Sequence, residues 1–471
     1  DAPGRPDSRV QKVVSALPLA PLPGLLALLR QRSRSLRSWK PEADRSLAAR
    51  GCARSSFVIF GQTMFDMGTA GVEQLQGFLD GIGELLGNDS RRASFATYVI
   101  GLLSEGERKS VEPIAARACA DPLRVDAEHQ RLLHFIGVSD WNDRDIRRYA
   151  ARYALDAMTA REAVQTWILD DTGFLKQGKH SVGVQRQYTG SAGKITNCQV
   201  GVSLTLGTKT DHLPIDFELY LPKTWTEDAA RRQEARIPKD LEFKTKGMLA
   251  LEMVRRAIDD DVPRGVVLAD AGYGTSSDFR HQLQALDLQF SLGVEGNTKV
   301  FEIGDVVTPG GAAVSLRKLA KKLMDKGEFR RCTWREGTRN KLTAKFALRR
   351  VLPCKDSRRK SAPPPTALWL LIEWRDGENE PANYFFSNLP DTISRLELVR
   401  ITMQRWRIER SYEDLKGELG LDHYEGRRFR GWHHHISVVL CCYAFLVSER
   451  VRHFPPSQPG ATETDADEAA A

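Results

Sequence analysis

The sequence predicts an α/β fold: a mixed β-sheet with helices on its faces, preceded by an all-α region and interrupted by a β-rich insertion. Three changes of pattern along the 471 residues support this class. Helical periodicity dominates up to about residue 163, and short apolar strands that alternate with helices follow. Strand-like alternation then dominates between residues 300 and 390.

The N-terminal part divides into two regions. Residues 1–68 are rich in Arg, Ser and Pro and only weakly periodic, so we expect a largely disordered extension. Residues 69–163 carry apolar stripes at helical spacing, and we predict a compact helical DNA-binding domain. One of its helices carries four arginines, Arg144, Arg147, Arg148 and Arg152. They form either a DNA contact or an ordinary solvated face.

Residues 164–299 are predicted to form the first part of the sheet domain. Its strands are the apolar runs 164–169, 197–206, 213–221, 265–269 and 290–294. Helices are expected from residue 227, over 246–258 and over 277–286. The first strand ends at Asp170-Asp171 and the fourth at Asp270.

Residues 300–390 separate two parts of this domain and are predicted to form a basic β-rich insertion. Residues 317–360 contain 17 Lys and Arg against four Asp and Glu, and such a density is typical of nucleic-acid contact. Residues 391–454 return to helix and complete the domain. Residues 455–471 form an acidic tail that we expect to be disordered.

Composition narrows the class of protein. Lys and Arg total 69 against 61 Asp and Glu, and this net charge of +8 favours a polyanionic partner because neutralised phosphates release counterions. The seven cysteines contain no Cys-x-x-Cys pair, which argues against zinc ribbons and a secreted disulfide framework. No apolar run approaches the length of a membrane span. We therefore expect a cytoplasmic protein with no membrane partner.

The acidic residues that follow the buried strands suggest a metal site. A carboxylate at the end of a buried strand costs free energy unless a metal, hydrogen bonds or solvent compensates it. If the first and fourth strands are neighbours, Asp171 and Asp270 emerge at the same edge of the sheet. Asp170 is the alternative to Asp171, because adjacent strand residues face opposite ways and only one of them can be a ligand. Carboxylates with open coordination positions suit Mg²⁺, with Mn²⁺ as a substitute.

A helix near the C-terminus offers a third carboxylate between two cations. Residues 405–416 contain good helix formers without Gly or Pro. Arg405 and Glu409 are four residues apart and Lys416 is seven further on, so all three are predicted on one side of the helix. Glu409 could hold a metal while the cations bind a phosphate. The alternatives are an ordinary solvated face, or Glu413 as the ligand.

Together these motifs resemble those of the DDE transposases of bacterial insertion sequences. The pattern consists of Asp171-Thr172, then Leu268-Ala269-Asp270 before a glycine-rich turn, then Arg405-x3-Glu409-x6-Lys416. It is most similar to the cut-and-paste group that has a Tyr-Arg-Glu-Lys signature and a ribonuclease-H-like core interrupted by a β insertion. The resemblance spans about residues 75–450. It departs at Thr402, where the signature usually has Tyr.

The resemblance implies a catalytic triad. Asp171, Asp270 and Glu409 would be the catalytic residues and the metal ligands. The Thr that follows Asp171 favours this residue over Asp170. The metal would be Mg²⁺.

The resemblance also implies DNA contacts. Arg405 and Lys416 would contact the DNA backbone. An aromatic residue of the insertion would hold a flipped base during hairpin formation. Tyr384 is the nearest match, with Trp369 and Trp374 as alternatives, although packing in the core explains each of the three better. Three further basic residues line either a DNA path or a solvated loop: Lys176, Lys179 and Arg186.

A Mg²⁺-dependent DNA transposase is the function that the resemblance implies. It would hydrolyse double-stranded DNA at the ends of its element and join the freed 3′-hydroxyl to target DNA. A homodimer would pair two ends, and the protein would work on the nucleoid in the cytoplasm. Two other functions fit the same residues: a ribonuclease-H-like nuclease without strand transfer, and a catalytically inactive DNA-binding relative.

Overall fold

The computed structural model describes residues 57–60, 63–66, 68–303, 313–336, 341–354 and 366–453. The predicted tail and residues 1–56 of the predicted extension lie outside the described residues. Strands β1 (Phe57–Phe60) and β2 (Thr63–Asp66) pair as an antiparallel hairpin. Among the described helices, none combines the length and apolar character needed to cross a membrane.

The predicted N-terminal helical region is confirmed. It contains α1 (Gly68–Leu86), α2 (Asp89–Leu103), α3 (Val111–Ala118), α4 (Val125–Gly137) and α5 (Asp143–Thr159). Asparagine side chains cap two of these helices. Asn88 accepts a hydrogen bond from the Arg91 amide, and Asn142 accepts from the Arg144 amide.

One twelve-stranded sheet organises the rest of the described chain. Its first strands are β3 (Thr166–Leu175), β4 (Gln185–Thr189), β5 (Lys194–Gly207), β6 (His212–Tyr220), β7 (Val266–Ala269) and β8 (Phe290–Val294). β3 pairs antiparallel with β5 and parallel with β7, while β7 pairs parallel with β8 and β6 pairs antiparallel with β5. The order β6-β5-β3-β7-β8 is the predicted mixed sheet with a ribonuclease-H-like arrangement.

Five helices connect these strands. They are α6 (Lys223–Thr226), α7 (Ala229–Ala235), α8 (Lys246–Asp259), α9 (Ala271–Gly274) and α10 (Ser277–Ala285). The predictions of a helix over 246–258 and over 277–286 are confirmed to within one residue at either end. The first strand is longer than predicted, because antiparallel pairing with β5 carries it through Asp170 and Asp171 to Leu175.

The predicted β-rich insertion extends the same sheet. Its elements are β9 (Lys299–Glu302), β10 (Val314–Ser315), α11 (Leu316–Asp325), β11 (Arg330–Glu336), β12 (Lys341–Pro353), β13 (Leu368–Trp374) and β14 (Asn383–Ser387). β14 pairs antiparallel with β8, so the insertion continues the core sheet edge to edge. Several of its cations form ion pairs, as Lys322 does with Glu302 and Arg331 with Asp376.

Three helices complete the fold: α12 (Arg395–Thr402), α13 (Trp406–Gly417) and α14 (Phe429–His453). A turn of 3₁₀ helix at Met403–Arg405 separates α12 from α13. α13 packs on the sheet face that carries Ile168 and Leu268, and α8 and α10 cover the opposite face. α14 shares one apolar core with α1 to α5 and with β6.

Candidate active site

Asp170 and Asp270 lie side by side on the central strands. In the parallel pair β3–β7, Ile168 lies opposite Leu268. The same register, continued by two residues, brings Asp170 beside Asp270. Both carboxylates lie on the sheet face that α13 covers, because they share the parity of Ile168 and Leu268.

Arg405 connects Asp170 to Glu409. Its Nη1 lies 2.8 Å from Oδ2 of Asp170, and its Nη2 lies 3.1 Å from Oε1 of Glu409. Burial lowers the pKa of Arg405, but the charges of Asp170, Glu409 and Asp270 raise that pKa overall. The guanidinium therefore stays charged and lies between two of the acids.

Burial makes the Asp170 carboxylate difficult to ionise. Burial raises its pKa, and the charges of Asp270 and Asp171 add to the rise, while Arg405 opposes it; the result is a pKa of about 7. The Asp270 carboxylate is fixed differently, because its Oδ1 accepts a hydrogen bond of 2.9 Å from the Gly272 amide and caps α9.

Asp170, Asp270 and Glu409 have the right chemical groups to bind a divalent metal, but their carboxylates are not arranged around a common point. Asp170, Asp270 and Glu409 supply the oxygen donors that Mg²⁺ prefers, and the raised pKa of Asp170 marks a carboxylate that a further cation would stabilise. Within the described ranges, however, no group of three or more His, Cys, Asp or Glu is arranged to hold a metal ion. Arg405 lies between the carboxylates of Asp170 and Glu409.

Asp171 lies on the other side of the sheet. Its Oδ2 is 2.8 Å from Nζ of Lys246, and its Oδ1 accepts a hydrogen bond of 3.2 Å from the Tyr273 hydroxyl. The structure therefore brings Asp170, and not the predicted Asp171, to the face that carries Asp270 and α13. The physical reason is the alternation of side chains along β3.

Two of the predicted DNA-contacting cations have partners within the protein. Lys416 Nζ donates hydrogen bonds of 2.8 Å to Oγ1 of Thr172 and to the Gly173 carbonyl. Lys176 Nζ donates a hydrogen bond of 2.6 Å to the Tyr424 carbonyl. Burial lowers the pKa of both lysines. These two side chains hold β3 and its following loop in place.

The remaining predicted DNA contacts differ in exposure. Tyr384 is buried in β14 as part of the apolar core, where its ring faces no open surface for a flipped base. Lys179 and Arg186 are exposed and line an open cleft of about 650 Å³. Among the arginines of α5, Arg147 is buried, whereas Arg144, Arg148 and Arg152 are exposed. Arg152 also donates a hydrogen bond of 2.8 Å to the Asp260 carbonyl.

Sequence reasoning missed two side chains near the acids, Lys246 and Tyr273. Tyr412, which the sequence offers as a loose substitute for the signature tyrosine, lies near them as well. The Tyr412 hydroxyl lies 2.6 Å from Oγ of Ser203, next to Asp170. Burial raises the pKa of Tyr412 and of Tyr273 well above the usual value, so both phenols stay protonated. The spacing predicts the position of Tyr412, because residues three apart on a helix, such as Glu409 and Tyr412, lie on the same side.

Position 402 departs from the signature for a structural reason. Thr402 is buried, and its Oγ1 lies 2.6 Å from Oγ of Ser291 on β8. The side chain therefore points at the sheet rather than at Arg405 and the acids. A phenol cannot act on the site from this position without repacking of the sheet.

Comparison with known proteins gives two family matches and a relative. The DDE superfamily endonuclease model matches residues 82–341, and the transposase DDE domain model matches residues 244–445. A protein of Microchaete diplosiphon named "Probable transposase for insertion sequence element IS701" is 27% identical over 205 residues, or 43% of this chain. That match spans only 49% of the relative, about half its length.

A structural comparison gives a weaker likeness. The cryo-EM structure of a piggyBac transposase synaptic complex with hairpin DNA aligns with a TM-score of 0.40 and 11% identity. The alignment covers 77% of this chain and 66% of that chain. The family assignment rests instead on the endonuclease match, which covers more than half of the 471 residues. The chain belongs to the DDE superfamily of endonucleases.

Proposed function

We propose that this protein is a DNA transposase that cuts the ends of an insertion sequence and joins them to target DNA with the help of a divalent metal. The observation that supports this most is the position of Asp170 beside Asp270 on the face of α13, the helix of Glu409. The family match and the relative from Microchaete diplosiphon agree with it.

The chain offers residues for each task of this reaction. Asp170, Asp270 and Glu409 would hold Mg²⁺, for which Mn²⁺ can substitute. The bound ions would activate a water and stabilise charge on the phosphate that is attacked. Arg405 supplies a positive charge beside the carboxylates for a DNA phosphate.

Hydrogen bonds keep these groups at fixed positions. Lys416 joins α13 to β3 through Thr172 and Gly173, so the helix of Glu409 and the strand of Asp170 move together. The Gly272 amide orients Asp270. Such positioning matters because small displacements of reacting groups cost large factors in rate.

The finer features of the proposal come from the resemblance. We propose a cut-and-paste reaction of the bacterial Tyr-Arg-Glu-Lys group, with a hairpin intermediate and a homodimer that pairs two ends on the nucleoid. The helical region and the basic insertion would recognise double-stranded DNA. Lys179 and Arg186 are the exposed members of the expected DNA contacts, which supports their role more than that of Lys176.

A cleavage and joining assay tests the proposal. The substrate is a plasmid that carries the coding region with its native flanking DNA, incubated with purified protein and Mg²⁺. We expect cuts at two inverted repeats, joining of the cut ends to a second plasmid, and loss of cutting in Asp270→Ala with DNA binding retained. Absence of metal-dependent cutting by the wild-type protein would contradict the proposal.

A nuclease without strand transfer is the second candidate, because the matching family model describes an endonuclease. The same assay separates the two functions. Cutting at the ends without any joined product supports the nuclease, whereas joined products support the transposase.

A further inference from the structure

The hairpin of β4 and β5 exposes an apolar pair. Tyr188 on β4 and Ile195 on β5 lie directly opposite each other, and they are 62% and 61% exposed. Single exposed apolar side chains are common on protein surfaces. A cross-strand pair of them on an edge strand is a feature that a binding partner would cover.

The charge around this pair identifies the class of partner. Residues 172–210 contain no Asp or Glu. Three exposed cations lie on the hairpin or in the loop before it: Lys179, Arg186 and Lys194. Lys179 and Arg186 both line the open cleft, and within the described residues neither forms an ion pair. The cleft also contains Glu227 and Asp228, but these pair with Lys223 and Arg231. Lys179 and Arg186 are therefore excess positive charges, and such a surface fits a polyanion such as duplex DNA.

The hairpin and the acids lie on the same face of the sheet. β5 pairs with β4 and with β3 without a register shift between Lys194 and Leu204. Ile195 and Ser203 are eight residues apart, so they point to the same side. Ser203 lies opposite Asp170 in the register and contacts Tyr412 on α13.

The length of β5 sets the distance between Ile195 on the hairpin and Ser203, which lies opposite Asp170. Eight residues of a strand span roughly 26 Å at about 3.3 Å per residue. Duplex DNA rises about 3.4 Å per base pair, so this distance corresponds to about eight base pairs. One straight duplex can therefore contact the hairpin and reach the carboxylates at the same time.

We propose that the face of this hairpin, Lys179, Arg186, Tyr188 and Ile195, binds duplex DNA about eight base pairs from the phosphate that is cut. The cations contact phosphates, and the apolar pair enters the adjacent groove, as apolar side chains of other DNA-binding proteins do. This inference rests on the proposed function for the position of the cut phosphate.

Fluorescence anisotropy with a fluorescein-labelled 30-base-pair duplex of mixed sequence tests the binding surface. The double substitution Tyr188→Ser/Ile195→Ser is expected to weaken binding about tenfold. Lys179→Ala/Arg186→Ala is expected to make the slope of log K against log[salt] shallower by roughly two, because each phosphate contact contributes about 0.9. Circular dichroism melting confirms that each variant is folded.

Control substitutions outside the hairpin show whether the loss of any exposed apolar or charged side chain weakens DNA binding. Leu123→Ser removes an apolar side chain that is 92% exposed elsewhere, and Lys239→Ala removes an exposed charge; both should bind like the wild type. Hairpin variants that bind DNA with wild-type affinity and wild-type salt slope would overturn the proposal.

A second copy of this chain is the competing occupant of the hairpin. Light scattering after size exclusion gives the molar mass of wild type and of Tyr188→Ser/Ile195→Ser. Weaker DNA binding at unchanged mass supports the proposal, and a fall in mass overturns it in favour of a contact between chains. The plasmid cleavage assay tests the proposed function separately, because failure of the wild type to cut leaves the anisotropy result intact.

Discussion

Opposing charges meet at Asp170. Its carboxylate faces one cation, Arg405, and two neighbouring acids. Asp171, one residue along, has Lys246 as its own partner. Neighbouring positions of one strand thus lie in two different electrostatic environments, because the sheet separates them.

The choice between these two acids could not be made from the sequence. Both follow the same apolar run, and Thr172 follows both within two residues. What decides is the register of β3 against β7, in which each residue of β3 pairs with the residue 100 positions further along the chain. The resemblance to a family motif favoured Asp171, but it carries no information about which face of the sheet each side chain occupies.

Ionisation of Asp170 makes stability depend on pH. Its pKa rises from 3.8 in the unfolded chain to about 7 in the folded protein, so the folded state holds more protons between these values. The free energy of unfolding therefore falls as pH rises through this window, by at most about 1.4 kcal/mol per pH unit. Asp170→Asn should remove this dependence.

Urea denaturation at pH 5, 6, 7 and 8 measures this effect. The difference in unfolding free energy between Asp170→Asn and wild type should move in favour of the variant as pH rises, and it should level off above about pH 7. A difference that stays constant across these four values would contradict the raised pKa.

At the scale of elements, strands with a clear apolar run were predictable and elements with mixed character were not. β8 was predicted with its observed bounds, Phe290–Val294. β4 was missed because its sequence, Gln-Arg-Gln-Tyr-Thr, is mostly polar. α11 carries Leu316, Leu319 and Leu323 at helical spacing, but its residues were assigned to the basic β-rich insertion instead of to a helix.

The break between α12 and α13 determines what position 402 can do. The 3₁₀ turn at Met403–Arg405 directs Thr402 into the sheet and Arg405 toward the acids. The continuous helix expected from the sequence around residue 405 would not show this difference. The missing signature tyrosine is therefore explained by packing against Ser291.

Thr402→Tyr should accordingly destabilise the protein. Overpacking of a filled core costs about 1–3 kcal/mol, and the loss of the hydroxyl contact to Ser291 adds about 1 kcal/mol. The melting temperature measures the change, with Thr402→Ser as a control that keeps the hydroxyl and should lose about 1 kcal/mol or less. An unchanged melting temperature in Thr402→Tyr would show that the site accommodates a phenol.

At the scale of the whole molecule, a buried ionic network joins the helical region to the sheet. Arg147 on α5 is 4% exposed and contacts Asp143 at 2.5 Å and Asp216 on β6 at 3.4 Å. Arg256 on α8 contacts Asp216 at 2.7 Å and Glu218 at 2.8 Å. The predicted DNA-binding arginine helix therefore faces, in part, the inside of the protein.

This arrangement could not be read from the sequence. The periodicity of α5 shows which residues share a face, but not whether solvent, DNA or β6 lies against it. The same is true of α14, whose apolar length predicts burial but not its partners, α1 to α5. Domain boundaries drawn by composition remain predictions, because the helical region and α14 share one core.

Arg147→Met should be strongly destabilising, since it removes the buried cation beside Asp143 and leaves Asp216 with Arg256 as its remaining partner. Breaking a buried ion pair costs about 3–5 kcal/mol. Arg148→Met is the matched control: Arg148 is one residue along the same helix and 58% exposed, so its loss should change stability by about 0.5 kcal/mol or less. Equal unfolding free energies for the two variants, by chemical denaturation, would contradict the network.

The central claim is that Asp170, Asp270 and Glu409 form the acidic centre, and that Asp171 does not belong to it. The most direct test compares Mg²⁺-dependent cleavage of end DNA by Asp170→Asn and Asp171→Asn, each checked for folding and DNA binding. We expect Asp170→Asn to lose cleavage by at least about a thousandfold while Asp171→Asn keeps a measurable rate. Retained cleavage in Asp170→Asn together with its loss in Asp171→Asn would contradict the assignment.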